Sequence, residues 1–169
     1  MKEITIDVGA IDNLVKAWEQ SPVLVEWELT AATHEALQLL EREIKEDTPT
    51  GATSALRQSI HGFIEEMGPL GVTGVVGTSM AHALPVELGT RPHFPPIEPL
   101  MDWVRSVLNI QDDGTAKVYY VAQAIARKIA ARGTKGQFMF ERNFVQLKPQ
   151  VQRMYQLAHE HIAEGLAHG

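Results

Sequence analysis

Cysteine is absent from all 169 residues of the chain. This absence excludes disulfide bonds and cysteine-ligated zinc sites as sources of stability or chemistry. No apolar stretch approaches the length of a membrane-spanning helix. The first eight residues alternate charged and apolar side chains and lack the apolar run of a signal peptide. We therefore expect a globular protein that has no membrane partner.

Patterns that carry catalysis or bind metals are also missing. His159 and His161 are two positions apart, whereas a helical zinc motif places its two histidines four positions apart. The segment Gly133-Thr134-Lys135-Gly136 lacks the leading glycine and the preceding strand of a phosphate-binding loop. The serines have no nucleophile-elbow context. These observations predict a protein that is not an enzyme and that uses no cofactor and no metal.

Charge is distributed unevenly along the chain. The net charge is −6, but residues 1–50 contain 4 basic and 11 acidic residues, whereas the other 119 residues contain 11 and 10. An acidic chain is not typical of a free-standing nucleic-acid-binding protein. The local exception is a basic run over residues 127–142. Its members are Arg127, Lys128, Arg132, Lys135 and Arg142, interrupted by Glu141.

Hydrophobic spacing predicts a long amphipathic helix over residues 22–47, with Ser21 as its N-cap and Pro22 in its first turn. Its predicted core-facing residues are Val23, Trp27, Ala31, Leu37, Leu40 and Ile44. A short strand over residues 4–8 and a short helix over residues 10–20 are predicted before it. The turn Thr48-Pro49-Thr50-Gly51 is expected to end the long helix.

Alternating apolar residues on both sides of a Gly-Pro turn predict a hairpin over residues 56–78, and a third short strand is predicted over residues 86–88. Helical spacing resumes over residues 100–108, then from Val118 to the closing Gly133, and again from about Gln137, with Pro149 expected to kink or split the last helix. The core-facing residues predicted for the first of these helices include Val107 and Leu108.

These elements predict an α+β fold: a small antiparallel sheet, made of the hairpin 56–78 plus short strands, packed against a long helix, with additional C-terminal helices. We expect a single α+β domain over residues 1–169. Within it, residues 110–136 are expected to be an insertion or a mobile loop-helix, and residues 150–169 a C-terminal helical extension.

The segment 86–96 contains three prolines and a glycine, which exclude regular structure and stiffen the backbone. On that stiff segment the chain displays Glu87, Arg91 and Phe94. A rigid loop that presents arginine and aromatic groups suits docking onto a protein, because little entropy is lost. A proline-rich connector between a strand and a helix is the alternative, and composition alone favours it. Arg91 is expected to pair with Glu87 or with an acidic residue of a neighbouring subunit.

Two segments together resemble a known family. The first is Thr48-Pro49-Thr50-Gly51 followed by Leu56-Arg57-Gln58-Ser59-Ile60, and the second is Ala81-His82-Ala83-Leu84-Pro85-Val86-Glu87-Leu88-Gly89-Thr90-Arg91-Pro92. Their order and context resemble the neck or tail-completion family of minor tail components in long-tailed bacteriophages and prophages. The resemblance covers about residues 25–145, and the segment 132–138 is similar to longer members. The chain departs from the pattern at Met80, where a tyrosine is typical, and in its longer spacing from Gly51 to Leu56.

The resemblance implies a structural virion protein of the head–tail junction that forms a homo-oligomeric ring and joins head to tail. Head-closure, tail-terminator or tail-tube proteins would be its partners, in the virion and, during assembly, in the host cytoplasm. The predicted interaction residues are Glu87, Gly89, Thr90, Arg91, Pro92, Phe94, Arg127, Lys128, Arg132 and Lys135. The alternative is a DNA-contacting module that uses the basic run, and a passing contact with phage DNA stays open in either case. A small hydrolase or metal enzyme is disfavoured by the missing constellations.

Overall fold

The computed structural model of the protein describes residues 8–68, 71–111 and 116–168. Along this part of the chain the elements are α1 (Val8–Asp47), α2 (Ala55–Gln58), β1 (His61–Gly68), β2 (Gly71–Gly77), α3 (Ala83–Leu88), β3 (Gly89–Thr90), α4 (Ile97–Val107), α5 (Lys117–Arg132), β4 (Thr134–Lys135) and α6 (Met139–His168). The predicted α+β class is confirmed, with a long N-terminal helix, a two-stranded antiparallel sheet, a second small sheet and C-terminal helices.

Helix α1 is continuous over 40 residues, with Pro22 in its interior. The predicted boundary at Ser21 and Pro22 was therefore wrong. An interior proline removes one backbone hydrogen bond and bends a helix, but helix-forming turns on both sides can continue through it. Val8 is helical, and residues 4–7 of the predicted first strand lie outside the described residues.

The core face of α1 agrees with the prediction only in its second half. Leu37, Leu40 and Ile44 are buried. Val23 and Trp27 are instead 71% and 72% exposed, and Ala31 is exposed as well. These three residues follow one another at intervals of four positions, which forms a row on a different face of the helix from Leu37. The prediction that Trp27 anchors the core was wrong because α1 carries two apolar rows and only one is covered.

Strands β1 and β2 pair as an antiparallel hairpin, as predicted, and α1 packs on it through Thr33 and Leu37. A Cβ atom added to Gly62 would lie 3.1 Å from Leu37 Cβ, and one added to Gly74 would lie 2.8 Å from Thr33 Cγ2. The helix therefore approaches the sheet where glycines leave room for it. The hairpin starts at His61 and not at residue 56, because residues Ala55–Gln58 form a helical turn.

Helices α4 and α5 share a core whose centre, Val104, Val118 and Ala122, is fully buried. Partly buried residues surround these three: Ile97, Leu100, Met101, Trp103, Ile110, Val121 and Ile125. Both helices were predicted, but Val107 and Leu108 are exposed and not core-facing, because they lie at the end of α4. Helix α5 belongs to a packed core; whether residues 110–136 are an insertion stays a prediction.

Helix α6 runs over 30 residues with Pro149 inside, so the proline does not split it. In its second half Val151, Met154, Tyr155, Ala158 and Ile162 are the less exposed positions, which confirms the predicted stripe. Tyr155 hydroxyl lies 2.8 Å from the hydroxyl of the buried Thr33, which ties α6 to α1. Leu24 of α1 fills the space beside Gly165, so the two helices run in opposite directions.

The described residues form two compact units. The first contains α1 as far as Leu39, residues 62–76 of the hairpin and α6 from Leu147. The second contains residues 40–61 and 77–146, with α3, α4, α5 and both short strands of the second sheet. Helices α1 and α6 each contribute residues to both units. The expectation of a single domain therefore stays a prediction.

Candidate interaction site

The second unit brings the proline-rich segment and the α5–α6 connection together. Strands β3 and β4 pair antiparallel, with Gly89 opposite Lys135 and Thr90 opposite Thr134. Past the ladder, the N–H of Gln137 donates to the carbonyl of Val86 at 2.9 Å. The two segments that carry the predicted interaction residues thus form one continuous backbone contact.

This contact replaces the strand that was predicted over residues 86–88. Those residues belong to helix α3, and the strand begins only at Gly89. The short strands do not extend the hairpin sheet but form a second two-stranded sheet. Sequence alone gave no sign of this pairing, because its two strands have only two residues each and lie 44 positions apart.

Glycine is required at two positions of this contact. Gly89 has a φ of 79° and Gly133 a φ of 71°, a conformation that residues with a side chain rarely adopt. A Cβ atom on Gly89 would collide with the backbone of Thr134, and one on Gly133 would collide with the carbonyl of Thr90. The backbones of the two segments can therefore meet only because these positions are glycines.

The side chain of Glu87 caps the N-terminus of α6. Its Oε2 accepts from the backbone N–H of Phe140 at 3.1 Å and its Oε1 from that of Glu141 at 3.0 Å. Both N–H groups belong to the first turn of α6, where no intrahelical acceptor exists. The carboxylate also lies at the positive end of the helix dipole. Arg91 does not pair with Glu87 and has no carboxylate partner among the residues that the structure describes; the other alternative, an acidic residue of a neighbouring subunit, stays a prediction.

The tip of the proline-rich segment is exposed and ordered by its own backbone. Arg91, Pro92 and Phe94 all face solvent, with Phe94 57% exposed. The Nδ1 atom of His93 lies 2.9 Å from the carbonyl oxygen of Arg91. The paired strand on one side and helix α4 on the other hold both ends of this tip. An exposed arginine and an exposed phenylalanine are thus displayed on a stiff support.

The basic run is exposed, and most of it is unpaired. Arg127, Lys128, Arg132 and Lys135 face solvent, and none of them forms an ion pair within the described part of the chain. From residue 116 to residue 140 the sequence contains five basic residues and no acidic one. This stretch is therefore a concentrated positive surface on an acidic protein.

Arg142, the last member of the run, is used internally. Its Nη2 lies 2.8 Å from Asp47 Oδ2, at the end of α1, and the Asn143 side chain donates to the same oxygen at 2.8 Å. Hydrogen bonds from Arg142 and then Asn143 hold the pKa of Asp47 below its usual value, because they stabilise the charged carboxylate. The available basic surface consequently ends at Lys135.

A hollow of about 320 Å³ lies where the two family-like segments meet. Its lining includes Pro49, Thr50, Gly51 and Leu56 from the first segment, His82 and Val86 from the second, and Trp103 of α4. Its walls carry hydroxyl groups and one imidazole but no carboxylate. Among the described residues no cluster of three or more metal-ligating side chains occurs. His159 and His161 are both exposed, and His161 Nδ1 lies 3.3 Å from Glu28 Oε2.

Sequence reasoning missed two exposed aromatic positions. Trp27 was placed in the core, and Tyr120, at 67% exposed, was not singled out although it lies on the same helix as the basic run. Periodicity reveals an apolar face, but not whether anything covers it. The only available signal was composition: α5 combines aromatic and basic residues without any acid.

No helix in the described part of the chain is long and apolar enough to cross a membrane. Comparison of the chain with protein-family models, with curated proteins and with solved structures found no match.

Proposed function

We propose that the protein is a structural component of the head–tail junction of a long-tailed bacteriophage or prophage. It forms a ring in the virion and joins head to tail through head-closure, tail-terminator or tail-tube proteins, without catalysing a reaction. One observation carries the proposal: the three segments that resemble the neck family, distant in sequence, meet in one unit around the hollow and the β3–β4 ladder.

Some residues of these segments fix the backbone and others face solvent, and this arrangement supports an assembly role. Gly89, Gly133 and Glu87 hold the backbone in place, whereas Arg91 and Phe94 face solvent. A support that is rigid before docking loses little entropy when a partner binds. The exposed tip therefore has the physical properties of a docking element.

The test is genetic, in the genome that carries the gene. Deletion should produce lysates with filled heads and separate tails under the electron microscope, and a plasmid copy should restore joined particles. Arg91→Ala should fail to restore them while the purified variant keeps the parent melting temperature. Arg153→Ala, an exposed arginine on α6 without an ion pair in the described residues, is the matched control and should restore joining. Joined, infectious particles in the deletion strain would refute the proposal.

A DNA-contacting module remains the second candidate, because residues 116–140 carry five basic residues without an acid. Binding through phosphate contacts releases counterions, so affinity for a duplex would fall steeply with added salt. With Arg142 held by Asp47, about four or five phosphate contacts are available, and the slope of log K against log salt would be roughly −4. If the protein binds a DNA duplex but its affinity does not fall with salt along this slope, the function as a DNA-contacting module is excluded.

A further inference from the structure

One face of α1 is apolar and uncovered. Val23 and Trp27 are 71% and 72% exposed, and Ala31 continues the row one turn later. Scattered exposed apolar residues are ordinary on a protein surface, but a tryptophan and a valine on adjacent turns form a patch. A tryptophan contributes more to an interface than almost any other side chain when it becomes covered.

Acidic residues lie beside this row and at its end. At about 100° per residue, Glu26 lies to one side of Trp27, and Glu35 follows Ala31 at the same interval of four positions, as the next member of the row. Glu35 is exposed and Glu26 partly so, and neither forms an ion pair within the described residues. The face formed by Val23, Trp27 and Ala31 with Glu26 and Glu35, here called the α1 face, is therefore apolar over its first three residues and negative at one side and at its C-terminal end.

The outward side of α5 has the opposite character. Val118, Ala122 and Ala126 turn towards the core, so the helix presents Lys117, Tyr120, Ala124, Arg127 and Lys128 to solvent. Tyr120 is 67% exposed and forms an aromatic centre. Lys117 lies one turn before it, and Arg127 and Lys128 lie about two turns after it. These five outward residues, here called the α5 face, are apolar at the centre and positive at the edges.

We propose that the α1 face of one copy docks onto the α5 face of a second copy of this chain. Trp27 covers Tyr120 and Ala124, while Arg127 and Lys128 lie against Glu35 and Lys117 lies against Glu26 of the neighbour. The two faces differ, so the contact is head-to-tail and repeats from copy to copy, which is the arrangement that generates rings. The inference rests on the proposed function, because it names the subunit contact of the ring.

Charge complementarity favours a second copy of the chain as the partner of these two faces. The chain offers a positive face and a negative face, each with an exposed aromatic residue at its centre, so a second copy satisfies both at once. Opposite charges at the edges steer the encounter and fix the register, and the aromatic contact with a cation nearby adds attraction. Nucleic acid would satisfy only the α5 face and would leave Trp27 uncovered.

Because the chain has no cysteine, engineered cysteines report on this contact without background. Ala31→Cys and Ala124→Cys are made in two copies that carry tags of different mass, mixed and oxidised. We expect a disulfide-linked heterodimer on non-reducing gels in at least fivefold excess over the control pair, Ala31→Cys with Ala163→Cys. Ala163 is an exposed alanine of α6 outside both faces, so the control has the same chemistry.

Second variants separate docking from chance collision. Adding Trp27→Ala to the Ala31→Cys protein, or Lys128→Glu to the Ala124→Cys protein, should reduce the cross-link at least threefold, and high salt should weaken it. Lys148→Glu, an exposed lysine on α6, should leave it unchanged. Cross-linking equal to the Ala163→Cys control would overturn the proposal, as would steep salt-dependent binding of a DNA duplex to the α5 face without the cross-link.

The outcome is independent of the genetic test. A specific cross-link together with joined particles in the deletion strain would leave the subunit contact standing and remove the head–tail role. Separate heads and tails together with control-level cross-linking would support the junction role and overturn this contact.

Discussion

Replacing Glu87 tests whether this residue is a structural cap or a free interaction residue. Its carboxylate accepts hydrogen bonds from the N–H groups of Phe140 and Glu141 at 3.1 and 3.0 Å. It thus replaces the side chain that an ordinary N-cap residue supplies from the preceding position. Phe138, which precedes α6, offers no such acceptor and has a φ of 52°.

The magnitude follows from these two contacts. Loss of a helix N-cap costs about 0.5–2 kcal/mol, and loss of a negative charge at a helix N-terminus costs about 0.3–1 kcal/mol. We therefore expect Glu87→Ala to lower the free energy of unfolding by about 2 kcal/mol, or roughly 4–8 °C in melting temperature. Glu87→Gln keeps one acceptor oxygen and loses the charge, so its cost should be intermediate.

Urea unfolding and native-state hydrogen exchange are the assays. The amides of Phe140 and Glu141 should exchange faster in Glu87→Ala, because they lose their acceptor. Glu66→Ala, at an exposed position of β1, is the control and should change stability by less than about 0.5 kcal/mol. If Glu87→Ala is as stable as this control and exchange is unchanged, the cap does not hold α6, and Glu87 is available for a partner.

Three further predictions concern other parts of the chain. Leu40→Ala should lower the free energy of unfolding by about 2–5 kcal/mol in urea titrations, because Leu40 is 7% exposed; a change below about 1 kcal/mol would contradict its burial. Lys128→Glu with Arg132→Glu should block joining of heads and tails by microscopy, and an acid-to-base change in α1 should partly restore it; normal particles would show a merely solvated surface. Because the pKa of Asp47 is lower in the folded than in the unfolded protein, the ionised side chain stabilises the fold at pH values above its unfolded pKa of about 3.9. This stabilisation is lost as pH falls from there through the folded pKa. Asp47→Asn should therefore lose less stability than the parent between pH 5 and pH 2 in urea titrations.

Local periodicity predicted the elements whose faces are set by their own sequence. Helices α4 and α5 were predicted because apolar residues at helical spacing meet in a shared core around Val104 and Val118. The first hairpin strand was predicted because Gly62 and Ile64 alternate with residues that are exposed in the structure. In each case the residues whose spacing predicts the element are also the residues that lie on its less exposed side.

Prolines misled the prediction of helix boundaries. Pro22 was expected to lie in the first turn of a helix, yet α1 continues through it; α6 is not split at Pro149, and a kink there stays a prediction. Contacts between the two helices, such as Thr33 with Tyr155 and Leu24 beside Gly165, stabilise the helical segments that follow Pro22 and Pro149. Such long-range support cannot be read from a local window of sequence.

The candidate site was predicted as a set of residues but not as an arrangement. Glu87 and Gly89 were predicted as interaction residues and Gly133 as the end of a helix, but their place in the structure depends on the backbone contact between residues 86–90 and 133–138. Because a two-residue strand has no periodicity, nothing in the sequence marks its partner. Glu87 accepts the hydrogen bonds of a helix cap in the structure, Arg91 is exposed, and a contact of either residue with a partner stays a prediction.

The stability of the fold does not explain why residue 27 is a tryptophan. Its own α1 already buries Thr33, Leu37 and Ile44, so the stability of the helix does not require a second apolar row. An exposed tryptophan costs solubility without contributing to the fold, and a fold optimised for an isolated monomer would replace it by a polar residue. Its presence beside unpaired acids, on a chain that also displays an unpaired positive face around Tyr120, is accounted for if the functional unit is an assembly of copies in which both rows are covered.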